Sequence, residues 1–160
     1  MTAEESLSYL YRLIPRGIKL GLKNISSVLN KLDDPQLKIP SIQVAGTNGK
    51  GSTAAFCESI LRAAGYRVGL YTSPHLIHFS ERIQINRFPL PDNHMIDLII
   101  RIKKVVETHN IPITFFEFST AIAFLYFSEA KTDINVIEVG MGGRLDATSL
   151  CSGEISIITS

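Results

Sequence analysis

Between Ile39 and Tyr71 the sequence runs apolar strand, glycine loop, amphipathic helix, apolar strand, and that order leaves few folds open. Ile39 to Ala45 (IPSIQVA) is short, β-branched and apolar, as a strand buried on both faces must be. Gly46 to Ser52 (GTNGKGS) follows at once. Behind it Phe56, Ile60, Leu61 and Ala64 recur at helical spacing, a stripe expected to face the core, and Gly65 stands at a C-cap position before the next strand, Tyr66 to Tyr71 (YRVGLY). Strand, crossover helix and strand make a βαβ unit, which demands parallel strands with helices laid over the sheet.

The flanking sequence extends the alternation. Leu22, Ile25, Val28, Leu29 and Leu32 predict a helix that stops at Asp33-Asp34-Pro35. Arg82 to Asn86 (RIQIN) alternates like an edge strand, and Met95, Leu98, Ile99, Ile102, Val105 and Val106 form an amphipathic helix opened near Asp92. A buried helix from about Glu117 to Ala130 precedes the apolar strand Ile134 to Val139, and Ile155 to Thr159 is the last strand. The expected fold is α/β, a mostly parallel, doubly wound sheet whose ligand site lies beyond the carboxyl ends of its strands. With 160 residues and 45% apolar content, one core is expected. Glu154 to Ser160 (EISIITS) alternates into an apolar strand without a closing helix, so the chain is expected to be truncated inside a domain.

Charge and composition narrow the classes of partner. Lysine and arginine total 16 against 15 acids, a net charge of +1, which points to neither nucleic acid nor an anionic membrane. Phe115 to Phe127 is the most apolar run, but Glu117, Ser119 and Thr120 interrupt it and a bilayer needs roughly 20 apolar residues. The N-terminus has two acids ahead of its first long apolar residue and no secretory pattern. Cys57 and Cys151 lack disulfide or metal spacing and read as free thiols of a reducing compartment, so a cytoplasmic protein is expected.

Two segments carry the chemistry. In the first, Gly46, Gly49 and Gly51 let the loop turn its N–H groups inward, and the following helix adds its positive end, so polyphosphate is the expected ligand. Lys50 would sit against the outer phosphates, and the hydroxyl of Ser52 or Thr53 would lie near a phosphate-bound magnesium ion. The spacing departs from G-x-x-x-x-G-K-[ST], because Gly46 and Gly49 are closer and Gly51 separates Lys50 from Ser52. In the second, Ile137 to Thr148 (IEVGMGGRLDAT), Glu138 ends an apolar strand and needs a cation there: a metal ion, or Arg144 in a structural bridge. Thr72-Ser73-Pro74-His75 should reach the same sheet edge, with His75 read as a solvated or capping residue.

Taken together, GTNGKGST at Gly46 to Thr53, YTSPHL at Tyr71 to Leu76, ERI at Glu81 to Ile83, TFFEFST at Thr114 to Thr120 and EVGMGGRLDAT at Glu138 to Thr148 resemble the folylpolyglutamate synthase and dihydrofolate synthase family, a branch of the Mur ligases. The resemblance spans nearly the whole chain. It implies an ATP- and Mg2+-dependent ligase that adds L-glutamate to a folate or dihydropteroate carboxylate through an acyl phosphate. It also implies a monomer, with residues 1–160 as the N-terminal part of the ATP-binding domain and the C-terminal glutamate-ligase domain outside this chain.

Carried over by position, the resemblance gives the ATP phosphates to Gly46, Thr47, Asn48, Gly49, Lys50, Gly51 and Ser52, and magnesium to Ser73 and Glu138. Lys50 and Glu138 become the catalytic candidates, and a third metal ligand, a histidine, would lie beyond Ser160. The pterin substrate maps onto Gly17, Ile18, Lys19 and Leu20, onto Thr114, Phe115, Phe116 and Glu117, and onto Leu145, Asp146 and Ala147. Lys19 stands where the bifunctional enzymes commonly have an acid, Asn24 where they have arginine, and Ser149 where asparagine is usual. Other readings are another Mur-type amino-acid ligase, against which Gly51 argues, an unrelated P-loop kinase or ATPase, which would leave TSPH and EVGMGGRLDAT without a role, and a binding module without catalysis.

Overall fold

The structure is a computed structural model that describes residues 2–17 and 21–160. The elements run α1 (Ala3–Tyr11), α2 (Lys23–Asn30), β1 (Pro40–Ala45), α3 (Lys50–Ala63), β2 (Val68–Tyr71), β3 (Ile83–Ile85), β4 (Phe88–Pro89), α4 (Asp92–Thr108), α5 (Phe115–Glu129), β5 (Ile134–Glu138) and β6 (Ser152–Ile158). All six strands form one sheet in the order β4-β3-β2-β5-β1-β6. β2, β5, β1 and β6 are parallel, and β3 and β4 add an antiparallel corner beyond β2. Val44 pairs with Glu138 and Tyr71 with Ile137, so the carboxyl ends of β1, β2 and β5 come level with one another.

Alternation along the strands divides the interior. Tyr71, Ile83, Ile85 and Ile137 point into the larger core, where α5 brings Phe118, Ile122, Phe124 and Phe127 and α4 brings Leu98, Ile99 and Ile102. Val28 and Leu29 of α2 and Leu10 of α1 close it. Ile42, Val44, Val68, Leu70 and Val136 point the other way, into a small cluster closed by Ala54 of α3. No helix among the described residues is long and apolar enough to cross a membrane. Cys57 and Cys151 are free, half-buried thiols, and burial pushes the Cys151 thiol up to about 11.

Two expectations need correction. The stripe of Phe56, Ile60, Leu61 and Ala64 does not face the sheet: Phe56 and Ile60 are each 69% exposed, while Ala54 and Glu58 are buried and Leu61 is only partly so. Small Ala54 lets α3 approach the strands, and the large apolar residues are turned outward as a result. Arg82 to Asn86 supplies β3, which is not the edge, since the two-residue β4 pairs outside it. The N-terminal segment, for which no element was expected, forms α1, opened by a capping box in which Thr2 Oγ1 accepts from Glu5 N and Glu5 accepts from Thr2 N.

Candidate active site

β1 ends at Ala45 and delivers Gly46 to the carboxyl edge of the sheet, where Thr47, Asn48 and Gly49 lie exposed. Gly49, in the left-handed region at φ 77°, is the N-cap of α3 and offers no side-chain cap. The first N–H groups of α3 therefore face the loop without intrahelical partners, at the positive end of a 14-residue helix. Lys50 Nζ donates to Gly46 O at 2.9 Å, which holds the ammonium over the loop. The loop is tied from the far end of the sequence: Asn48 N donates to Ser160 O at 2.8 Å, and Thr159 Oγ1 donates to Asn48 O at 2.6 Å. Gly46 has φ 134°, and a Cβ there would run into Thr159, so only glycine fits that crossing of chains.

Glu138 is 5% exposed at the end of β5. Its Oε2 accepts from Ser73 N at 2.9 Å. A Cβ placed on Gly51 would stand 3.6 Å from Oε1, so the other oxygen faces the first turn of α3. Burial pushes the Glu138 carboxyl above its ordinary range, with the Ser73 amide and the Lys50 charge acting against that shift. Arg144 is exposed, and among the described residues no ion pair joins it to Glu138, so the structural-bridge reading is not what the fold adopts. Among the described residues no group of three His, Cys, Asp or Glu is placed to hold a metal.

Next to Ser73 lies a cleft of about 280 Å³. It gathers the three stretches mapped to substrate, since Gly17, Thr114 to Glu117 and Leu145 to Ala147 all line it. Ile18, Lys19 and Leu20 lie outside the described residues. Two of the lining acids have structural duties. Glu117 completes the capping box of α5: its Oε2 accepts from Thr114 N and Thr114 Oγ1, both at 2.8 Å. Asp146 accepts from Met141 N at 2.8 Å, Thr148 N at 3.0 Å and Thr148 Oγ1 at 2.6 Å, which shapes the glycine-rich loop behind β5. Phe116 lies against Gly140, where any Cβ would overlap its ring, and Phe115 stacks on Tyr11 with centroids 6.0 Å apart.

Arg82, which is not among the expected site residues, lines the same cleft and is 7% exposed. Its Nε donates to His75 Nδ1 at 2.7 Å, and its Cζ lies 5.2 Å from the centroid of the Phe115 ring. His75 is thus an acceptor for Arg82 rather than a solvated or capping residue; burial, then the Arg82 charge, keep the imidazole pKa below its usual value. Glu81 gathers the N–H groups of Leu76, Ile77 and His78 at 2.9, 3.1 and 2.7 Å, which holds the loop after TSPH and depresses its carboxyl pKa. The available signals were an arginine beginning an apolar alternation and its place in the ERI motif at Glu81 to Ile83. Two departures from the family pattern also have contacts: Asn24 Nδ2 donates to Pro112 O at 3.2 Å, and Ser149 Oγ to Arg144 O at 3.1 Å.

No protein-family model matches the chain. It is 41% identical over 162 aligned residues to the dihydrofolate synthase/folylpolyglutamate synthase of Bacillus subtilis, covering 98% of this chain and 38% of the relative. The enzyme of the same name from Haemophilus influenzae is 43% identical over 157 residues, covering 98% of this chain and 35% of the relative. Among solved structures, the apo form of L. casei FPGS superposes with a TM-score of 0.93 at 36% identity, covering 99% of this chain and 40% of that one. The chain thus spans little more than a third of the length of these relatives. Sequence and fold agree across that span, and the chain belongs, as a partial match, to the folylpolyglutamate/dihydrofolate synthase family.

Proposed function

We propose that this chain forms the nucleotide-binding part of an ATP- and Mg2+-dependent ligase that joins L-glutamate to the carboxylate of a folate or dihydropteroate. The observation that carries the reading is the Ser73–Glu138 contact, which joins two sites: Glu138 faces the first turn of the phosphate loop helix, and Ser73 lines the substrate-sized cleft. Relatives support the ligands. Solved structures similar to this chain include an FPGS–AMPPCP–folate complex and E. coli FolC in complex with DHPP and ADP.

A carboxylate is a poor acceptor for an amine, so the substrate carboxylate first takes the γ-phosphoryl group of ATP, releasing ADP; the glutamate amine then attacks the acyl phosphate, forming the amide and releasing phosphate. The protein's share is positioning and charge neutralisation. The exposed loop of Thr47, Asn48 and Gly49, with the unpartnered N–H groups at the start of α3, cradles the β- and γ-phosphates, and Lys50 swings from Gly46 O onto the transferring group. The donors suit magnesium: Glu138 offers a buried carboxylate oxygen beside the loop and Ser73 a hydroxyl, hard oxygen ligands of the kind the ion takes alongside phosphate and water. When bound, the ion would offset phosphate charge. Phe115, Phe116 and Leu145 supply apolar walls for a flat ring system. The glutamate site falls to the portion of the relatives beyond this span, and the 160-residue chain is inactive alone. The working enzyme is a cytoplasmic monomer.

The test is an assay of the full gene product with dihydropteroate, tetrahydrofolate or a UDP-linked muramoyl acid, each with and without glutamate. Glutamate-dependent ADP release with a folate-type acid is expected; turnover with the muramoyl acid alone overturns the reading. Lys50→Ala should cut turnover by roughly a hundredfold or more, the scale of losing one pre-organised charge contact, and retained turnover would remove Lys50 from phosphate binding.

A further inference from the structure

The charges lining the cleft do not balance. Of its described lining residues, Glu117 and Asp146 are acids whose oxygens already accept N–H and O–H donors from their own loops. Arg82 is the cation, and no carboxylate among the described residues lies within ion-pair distance of it. A guanidinium stays charged in a protein, and one held at 7% exposure without a counter-ion carries a desolvation cost that an incoming anion would relieve.

The side chain is also pre-set in orientation. Nε is occupied by His75 Nδ1, which accepts the bond and so is unprotonated at that nitrogen, while Cζ lies over the Phe115 ring. The Tyr71 hydroxyl also lies against the guanidinium, and the remaining N–H groups of the two terminal nitrogens form part of a planar fork, the geometry that matches a carboxylate. Arg82 brackets Ser73 in the chain contacts, since its carbonyl accepts from Thr72 N at 2.9 Å while its side chain reaches His75. Ser73 in turn is bonded to Glu138 beside the phosphate loop. An anion on the fork would thus share the cleft with Ser73, whose amide is bonded to Glu138.

We propose that Arg82, held by His75 and packed on Phe115, binds the acceptor carboxylate of the pteroate or folate substrate and aims it at the phosphate loop; this rests on the ligase reading above. Arg82 then acts on the carboxylate to be phosphorylated, not on the incoming glutamate.

The test uses the full gene product and measures equilibrium binding of pteroate and of its carboxamide, the same molecule with an amide in place of the acid. The wild-type protein should bind the acid about 10- to 100-fold more tightly than the amide, the range for a hydrogen bond to a charged group. Arg82→Met should erase that preference by weakening the acid alone, leaving amide affinity, nucleotide affinity and the KM for glutamate little changed. Arg82→Lys, which keeps the charge and loses the fork, should give an intermediate ratio and carries the same test should the Met variant fail to fold. An unchanged acid-to-amide ratio in both variants, an equal loss for acid and amide, or a rise confined to the KM for glutamate would each overturn the assignment. Those outcomes leave the ligase reading standing, whereas a wild-type protein with no affinity for pteroate sinks both.

Discussion

Among the described residues, one face of the sheet carries α1, α2, α4 and α5 and the other α3, so the same strands are half of a thick core on one side and the floor of a thin one on the other. Each face also buries a glutamate. On the thick side Glu117 has its Oε2 bonded to both donors of Thr114. On the thin side Glu58 is 0% exposed and paired with Arg62 at 2.9 Å through Oε1, while Oε2 has no partner. The two sites differ in how the second oxygen fares: that of Glu58 is sealed in without a partner, a desolvation cost that Glu117 beside its cleft does not show.

The contrast can be broken by substitution, with urea unfolding of the chain as the measurement. Phe124→Ala, deep in the thick core, should cost about 3–5 kcal/mol; a loss under about 1 kcal/mol would mean that this face is not the stabilising one. Glu117→Ala should cost about 1–2 kcal/mol by stripping the cap of α5 and leaving the Thr114 N–H unpaired. Glu58→Leu should do the reverse and stabilise by about 1 kcal/mol, because an apolar side chain replaces a half-satisfied charge and Arg62, 40% exposed, can return to water. Destabilisation there would show that the Arg62 pair is worth more than its geometry implies. Phe56→Ala, on the outward side of α3, should change stability by no more than about 0.5 kcal/mol.

The same asymmetry explains what could be read from the sequence. Helices on the thick side announce themselves, because Leu98, Ile99 and Ile102 of α4 and the apolar run of α5 are buried as their spacing predicts. In α3 periodicity finds an apolar stripe but cannot say whether it packs, and Ala54 with Glu58 holds the inner face instead. Strand, loop and helix around Gly46 were legible because glycine spacing and Lys50 are local signals. Arg82 was not, since its cleft is assembled from segments separated by the whole of α4 and becomes visible only when Phe115 is brought beneath it. Glu117 shows the opposite limit: resemblance maps it to substrate, whereas the T-x-x-E capping box that it forms with Thr114 is a local signal with a purely structural meaning.

The fastening of the phosphate loop by Thr159 and Ser160 has a consequence for the order in which the molecule assembles. Asn48 is stapled to Thr159 across 111 positions of sequence, so the loop acquires its final outline only after β6 has docked beside β1. Closing so long a span is slow compared with forming the helix that follows it. On the ligase reading this loop is an anion cradle that is set late, and its affinity for nucleotide would double as a gauge of whether β6 is in place.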